Sequence, residues 1–191
     1  MIKSILKELL QTVLIAIFLF LCLRLTIQNT QVLYPSMMPT LVENQLVIIN
    51  KASYSRISQK NLAHIPVLNN MVHTTQAYLF GHPQRGDIIV FHSPPNPQRD
   101  FIKRIIGLPG ETIEIHRGKI IIDNKLFNEP YVIHASKDSL PPTKIPPDFY
   151  FVMGDNRARS EDSRIWGPVP LESIVGKLWL RYWPLNLLKS F

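Results

Sequence analysis

At 191 residues, with 46% hydrophobic and 18% charged side chains, the chain has enough apolar material for a packed core and too little charge for a disordered one. A net charge of +7 raises nucleic acid as a partner, yet the basic residues are scattered and no zinc-finger or helix-turn-helix spacing occurs, so no nucleic-acid partner is expected. The one cysteine, Cys22, excludes an internal disulfide, and 16 prolines against 8 glycines favour stiff turns and edge strands over long helices.

The first predicted element is "LLQTVLIAIFLFLCLRLTI", residues 9–27. About 19 residues at about 1.5 Å each make about 28 Å of helix, close to the hydrocarbon thickness of a bilayer. The stretch is apolar on all faces, which sets it apart from a surface helix. A cleaved signal peptide shares the basic start and apolar run, but "RLTIQNTQVLYP" after it holds no Ala-x-Ala cut site. The reading is an uncleaved, single-pass anchor. Lys3 and Lys7, against a nearly charge-free segment after the helix, place residues 1–8 on the cytoplasmic side, with Arg24 weighing modestly the other way. Residues 28–191 then form an extracytoplasmic domain, in the periplasm or an equivalent lumen of a plasma or thylakoid membrane.

Beyond the anchor, short β-rich runs alternate with turn signals: "QLVIIN" (45–50), "DIIVFH" (87–92), "FIKRII" (101–106), "ETIEIH" (111–116), "KIIID" (119–123), "FYFVM" (149–153) and "VGKLWLRYW" (175–183). "ETIEIHRGKIIID" predicts a hairpin turning at Arg117-Gly118. Residues 124–148, with "LPPTKIPPD", predict a small proline-rich lobe or loop, and "VLNNMVHTTQAYLF" (67–80) predicts a short helix or a membrane-facing flap. The tail "KLWLRYWPLNLLK" reads equally as a lipid-facing surface and as a last core strand with a tail. The fold class is mostly β: antiparallel sheets in one domain behind a transmembrane helix.

The chemistry begins at "YPSMMPTL", residues 34–41, where one serine stands in a proline-stiffened, apolar segment. A serine hydroxyl is a poor nucleophile until a base takes its proton. The 6 histidines show no metal-ligand spacing, and none stands out as a base, although a Ser-His-Asp arrangement stays open because triads converge in space. Lys103 does stand out. Strand alternation in "FIKRII" puts Phe101, Lys103 and Ile105 on one face and Ile102, Arg104 and Ile106 on the other. Apolar neighbours can lower a lysine pKa by the roughly 3 units that base catalysis near neutrality needs. Arg104, on the opposite face, adds charge that assists the shift. Alone, such a lysine is better read as capping a strand edge and reaching solvent.

Four segments together carry a resemblance. "SMMPTL" (36–41), "RGDIIVF" (85–91), "FIKRIIGLPGE" (101–111) and "GDNRARSEDSRIWGPV" (154–169) resemble, in order and behind an anchor, the signature segments of type I signal peptidases. The resemblance implies a membrane-anchored Ser-Lys endopeptidase that removes signal peptides from translocated preproteins, cutting after small residues. It implies Ser36 as nucleophile and Lys103 as general base, with the Ser160 hydroxyl hydrogen-bonding and orienting that lysine. Asp162 and Arg164 match a supporting ion pair, and Gly154, Asp155, Asn156 and Arg157 shape the turn before them. Extended substrates would pair with strands lining a groove, with Met37, Leu41, Phe101 and Ile102 as its walls. The implied partners are preprotein signal peptides, membrane lipids and a nearby translocation machinery; no cofactor or metal is implied. The rival class is a membrane-anchored homologue of little or no activity that binds extended peptides.

One departure bears on the oxyanion. Family members usually carry serine or glycine at each of the two positions before the nucleophile, and a serine two places upstream there helps hold the oxyanion. This chain has Tyr34 and Pro35 instead. Loss of one such donor costs about 2.7–4 kcal/mol of transition-state stabilisation, which affects efficiency more than the class of reaction.

Overall fold

The structure is a computed structural model that describes residues 2–58, 76–78, 80–133 and 135–191. Its first element is a helix, α1 (Ile2–Thr26), longer than the span read from the sequence. By length and composition it can cross a membrane, and none of its apolar window is buried against the rest of the chain. No linker follows. The backbone passes straight into β1 (Ile27–Gln31), and the carbonyl of Thr26 accepts from Lys51 N–H at 2.8 Å, which ties the helix end to the next strand.

The main sheet collects β1, β2 (Leu46–Asn50), β5 (Ile88–Ser93), β6 (Asn96–Gly107), β11 (Phe149–Met153), β12 (Val169–Pro170), β13 (Ile174–Trp183) and β14 (Lys189–Ser190). Its order is β1-β2-β13-β5-β6-β11-β12, with β14 added to β13, and its pairings are antiparallel. A second sheet is formed by β7 (Thr112–His116), β8 (Lys119–Ile122), β9 (Lys125–Phe127) and β10 (Leu140–Lys144), in the order β10-β7-β8-β9. A two-stranded ribbon pairs β3 (Arg56–Ser58) with β4 (Gln76–Tyr78).

Strand β5 reads as an unbroken apolar run because both of its faces are covered. Ile88 and Val90 join Val47, Ile49 and Leu178 in one core, while Ile89 and Phe91 join Ile105, Val152 and Val169 in another. A third core lies where the second sheet meets the first, around Ile106, Ile113, Ile120, Ile145 and Phe151.

The predicted hairpin turns where expected: Arg117 (φ 48°) and Gly118 (φ 81°) sit between paired His116 and Lys119, the two-residue turn that matches strand twist. A second turn of this kind, Asp123-Asn124 (φ 47° and 64°), leads into β9, which the sequence reading leaves unassigned. The proline-rich 124–148 region supplies β9 and β10, the two outer strands of the second sheet. Pro141 and Pro142 fit in β10 because it is an edge strand. Of the helix or flap expected over 67–80, residues 67–75 and 79 lie outside the described residues, while Gln76–Tyr78 form strand β4. In the tail, Leu178 is fully buried, while Trp179, Trp183, Leu185 and Leu188 face outward.

Candidate active site

The serine segment is held by its own apolar residues. Tyr34 is extended, Pro35–Met37 make one tight turn closed by Met38 N–H on Pro35 O (3.1 Å), and Leu41 N–H bonds Met37 O (2.9 Å). Proline at the first position of that turn presets its φ. Met37 and Leu41 are sunk in the core, and Ser36 is left at the wall of a groove of about 1060 Å³. The groove is lined by the 30–37 segment, by 97–103 and by 158–161.

From β6, Lys103 reaches the same point: its Nζ lies 2.9 Å from Ser36 Oγ and donates to the carbonyl of Ile102 at 3.2 Å. Lys103 is only 4% exposed. Burial pushes its pKa down from 10.5 to about 8, over the opposing pull of Asp162 and Glu161 and with a smaller contribution from Arg164. The ring of Phe101, 5.1 Å from Nζ, belongs to the apolar wall expected on that strand face. Arg104 does not assist. Its guanidinium is engaged by Asp155 and is not among the causes of the shift, so Arg164 takes the part expected of it.

The 154–164 segment supports the pair from below. Gly154 closes the end of β11, where a Cβ would collide with both the Ser36 carbonyl oxygen and Ser160 Oγ; only glycine allows this approach. Its N–H donates to Asp162 Oδ2 at 3.0 Å. Asp162 is fully buried and forms a two-pronged pair with Arg164 (2.8 and 2.9 Å), whose guanidinium also donates to the carbonyls of Arg157 and Ser160. Asp155 forms a second two-pronged pair with Arg104 (2.8 and 2.6 Å) and accepts from Thr40 Oγ1 (2.5 Å). Asn156 donates from its backbone to Ser36 O (3.0 Å) and from its side chain to Pro35 O (3.2 Å). Arg157 donates to Gly154 O (3.0 Å) and pairs with Glu129.

The structure brings together Ser36, Lys103, Gly154, Asp155, Asn156, Arg157, Ser160, Asp162 and Arg164. Two expectations change. Ser160 lines the groove, but its Oγ is buried without a hydrogen-bond partner among the described residues, so the contact to Lys103 is not made; the Ile102 carbonyl holds an N–H of that lysine instead. Met37, Phe101 and Ile102 do line the groove, whereas Leu41, fully buried in the core, does not, because the turn aims it inward. Sequence reasoning missed Thr40, Glu129 and Tyr131, whose ring lies 4.1 Å from the Arg104 guanidinium. Their partners are far away along the chain, and local pattern carries no signal for that pairing. Among the described residues no cluster of side chains is arranged to hold a metal.

The arrangement can perform general-base activation of a hydroxyl. With one N–H of a neutral Lys103 on the Ile102 carbonyl, its lone pair is free for the Ser36 proton. Residues 5–183 match the family described as signal peptidase, peptidase S26. Signal peptidase I of Leptolyngbya laminosa is 37% identical over 160 residues, covering 80% of this chain and 67% of that protein. Probable signal peptidase I-1 of Synechocystis sp. is 33% identical over 188 residues, 94% of this chain and 84% of that protein. Thylakoidal processing peptidase 1 of Arabidopsis thaliana is 36% identical over 118 residues, 56% of this chain and 35% of that protein.

Proposed function

The chain belongs to the signal peptidase family, peptidase S26, and we propose that it removes signal peptides from translocated preproteins by acyl transfer, with Ser36 as nucleophile and Lys103 as general base. It is a serine endopeptidase with an N-terminal helix fit to anchor it in a membrane. The observation that carries the assignment is the 2.9 Å contact between Ser36 Oγ and the buried Lys103 Nζ.

Neutral Lys103 takes the Ser36 proton as Oγ attacks the carbonyl carbon of the scissile bond. The carbonyl oxygen becomes an oxyanion, held by the Ser36 backbone N–H. Collapse breaks the C–N bond, and protonated Lys103 gives its proton to the leaving amine. Water, deprotonated by the same lysine, then attacks the Ser36 ester and restores the hydroxyl. Extended substrate would lie in the groove along the 30–35 segment, whose strand β1 is an edge of the sheet. Tyr34, Met37 and Phe101 line the groove together with Ser36, and we assign cleavage after a small residue to it.

We place the N-terminus on the cytoplasmic side and the β-domain on the far side of the membrane, from the Lys3 and Lys7 bias. The outward Trp179, Trp183, Leu185 and Leu188 support contact with lipid headgroups, and a substrate emerging from the membrane puts the translocation machinery nearby.

The test is cleavage of a preprotein with an Ala-x-Ala site in detergent micelles by wild type, Ser36→Ala and Lys103→Met at equal concentration. Cleavage by wild type alone is the expected outcome. Cleavage retained by Ser36→Ala would overturn the assignment.

A further inference from the structure

We propose that Asn156 is a positioning residue for the oxyanion hole, acting through the peptide plane that joins Pro35 to Ser36; this rests on Ser36 being the nucleophile. That peptide is trans and planar, so the Pro35 carbonyl and the Ser36 N–H point in opposite directions from one rigid unit. Whatever holds the carbonyl aims the N–H. Two donors hold it: Met38 N–H at 3.1 Å, within the turn, and Asn156 Nδ2 at 3.2 Å, from outside it. The partner is a carbonyl, so the amide must present its nitrogen there. Asn156 is 4% exposed and does not line the groove, so it works from the protein side while Ser36 faces substrate. Its own backbone N–H meanwhile donates to Ser36 O at 3.0 Å, pinning the next peptide along.

The need for such a grip follows from the residues before the nucleophile. Pro35 has no N–H to offer, and Tyr34 carries its hydroxyl at the far end of an exposed ring. The Ser36 N–H then carries the oxyanion without a neighbouring small hydroxyl, and an error in its direction goes straight into the transition state. A buried side-chain amide clamped on the preceding carbonyl removes the freedom of that plane. Because Met38 N–H remains when Asn156 is gone, the effect is partial, smaller than deleting an oxyanion donor outright.

The experiment compares wild type with Asn156→Leu, which keeps the volume and removes the donor, and with Asn156→Ala. Both keep the backbone N–H on Ser36 O. Cleavage of a preprotein gives kcat and KM, and inhibition constants are measured for a peptide aldehyde, whose adduct with Ser36 carries the oxyanion, and for a non-cleavable peptide of the same sequence. The expected result is a fall in kcat of about 10- to 100-fold with KM within about twofold, and an equal rise in the aldehyde constant. The non-cleavable peptide should bind unchanged, and the pH midpoint should stay in place because burial sets the Lys103 shift. A lower folded fraction raises both inhibition constants by the same factor, so the ratio of the aldehyde constant to the peptide constant reports on the oxyanion hole even in a less stable variant. An unchanged kcat, or equal weakening of both inhibitors, overturns the proposal; cleavage surviving in Ser36→Ala overturns instead the reading beneath it.

Discussion

At the scale of single residues, the proposed activity turns on a lysine whose pKa is lowered by burial. Lys103, with its pKa near 8 against an ordinary 10.5, is largely protonated at neutral pH and ready as a base only above it. The rate of cleavage should therefore rise with pH through about 8 and fall about tenfold per unit below it, as a pH profile of kcat/KM would show. The same shift opposes folding. Protonation is harder in the folded state, so the cost is fully present below about 8 and vanishes as pH rises past the unfolded value of 10.5. It amounts to about 3 kcal/mol. Lys103→Met should accordingly abolish cleavage while leaving thermal unfolding at pH 7 unchanged or raised, whereas a lowered Tm would show the lysine to be structural. Gly154→Ala tests the opposite case, a residue without chemistry. Its methyl group would meet both the Ser36 carbonyl and Ser160, and a displacement of the nucleophile by about 1 Å should cost about 100-fold in kcat.

At the scale of elements, the site is a junction of three segments far apart in the chain: the turn after β1, strand β6, and the turn after β11. The Arg104–Asp155 pair, with Thr40, touches all three. Both charges are nearly buried, at 11% and 1% side-chain exposure, so Arg104→Leu would leave Asp155 without its partner. That should cost about 3–5 kcal/mol in denaturant unfolding, and adding Asp155→Leu should recover much of the loss. If the single variant is as stable as wild type, the pair does not hold the junction. Most strands were legible, since alternation or an unbroken apolar run marks them whatever they pair with. The short β9 and β10 were not. A three-residue strand has little period to read, and the prolines of β10 are tolerated only because its outer edge is unpaired, which is a fact of the sheet.

At the scale of the whole molecule, helix α1 and the β-domain share a boundary with no slack. Helix α1 ends at Thr26 and strand β1 starts at Ile27, already paired with Asn50. The serine turn begins four positions beyond Gln31, so the separation of Ser36 from the end of α1 is set by the sheet and not by a flexible stalk. The helix itself is unburied, and the cores lie beyond it. A chain starting at Ile27 should therefore fold and cleave a soluble peptide at a rate near that of the intact chain, while losing most of its binding to lipid vesicles in a flotation assay. Loss of peptide cleavage would mean that α1 supports the fold.

The sequence by itself determined the long apolar helix, the mostly β class, and the serine and lysine proposed for the reaction. Each of these is written locally, in continuous apolarity, in a period of two, or in a short motif with a fixed order. Only the tertiary structure decided which neighbours those residues have. It turned Leu41 into the core although it stands five places from Ser36, gave the orienting contact of Lys103 to a backbone carbonyl in place of Ser160, and tied Arg104 to Asp155. Hydrogen bonds of that kind depend on distance in space and on the direction of a side chain at the end of its strand or turn. Neither quantity is carried by a residue's identity or its position in the chain.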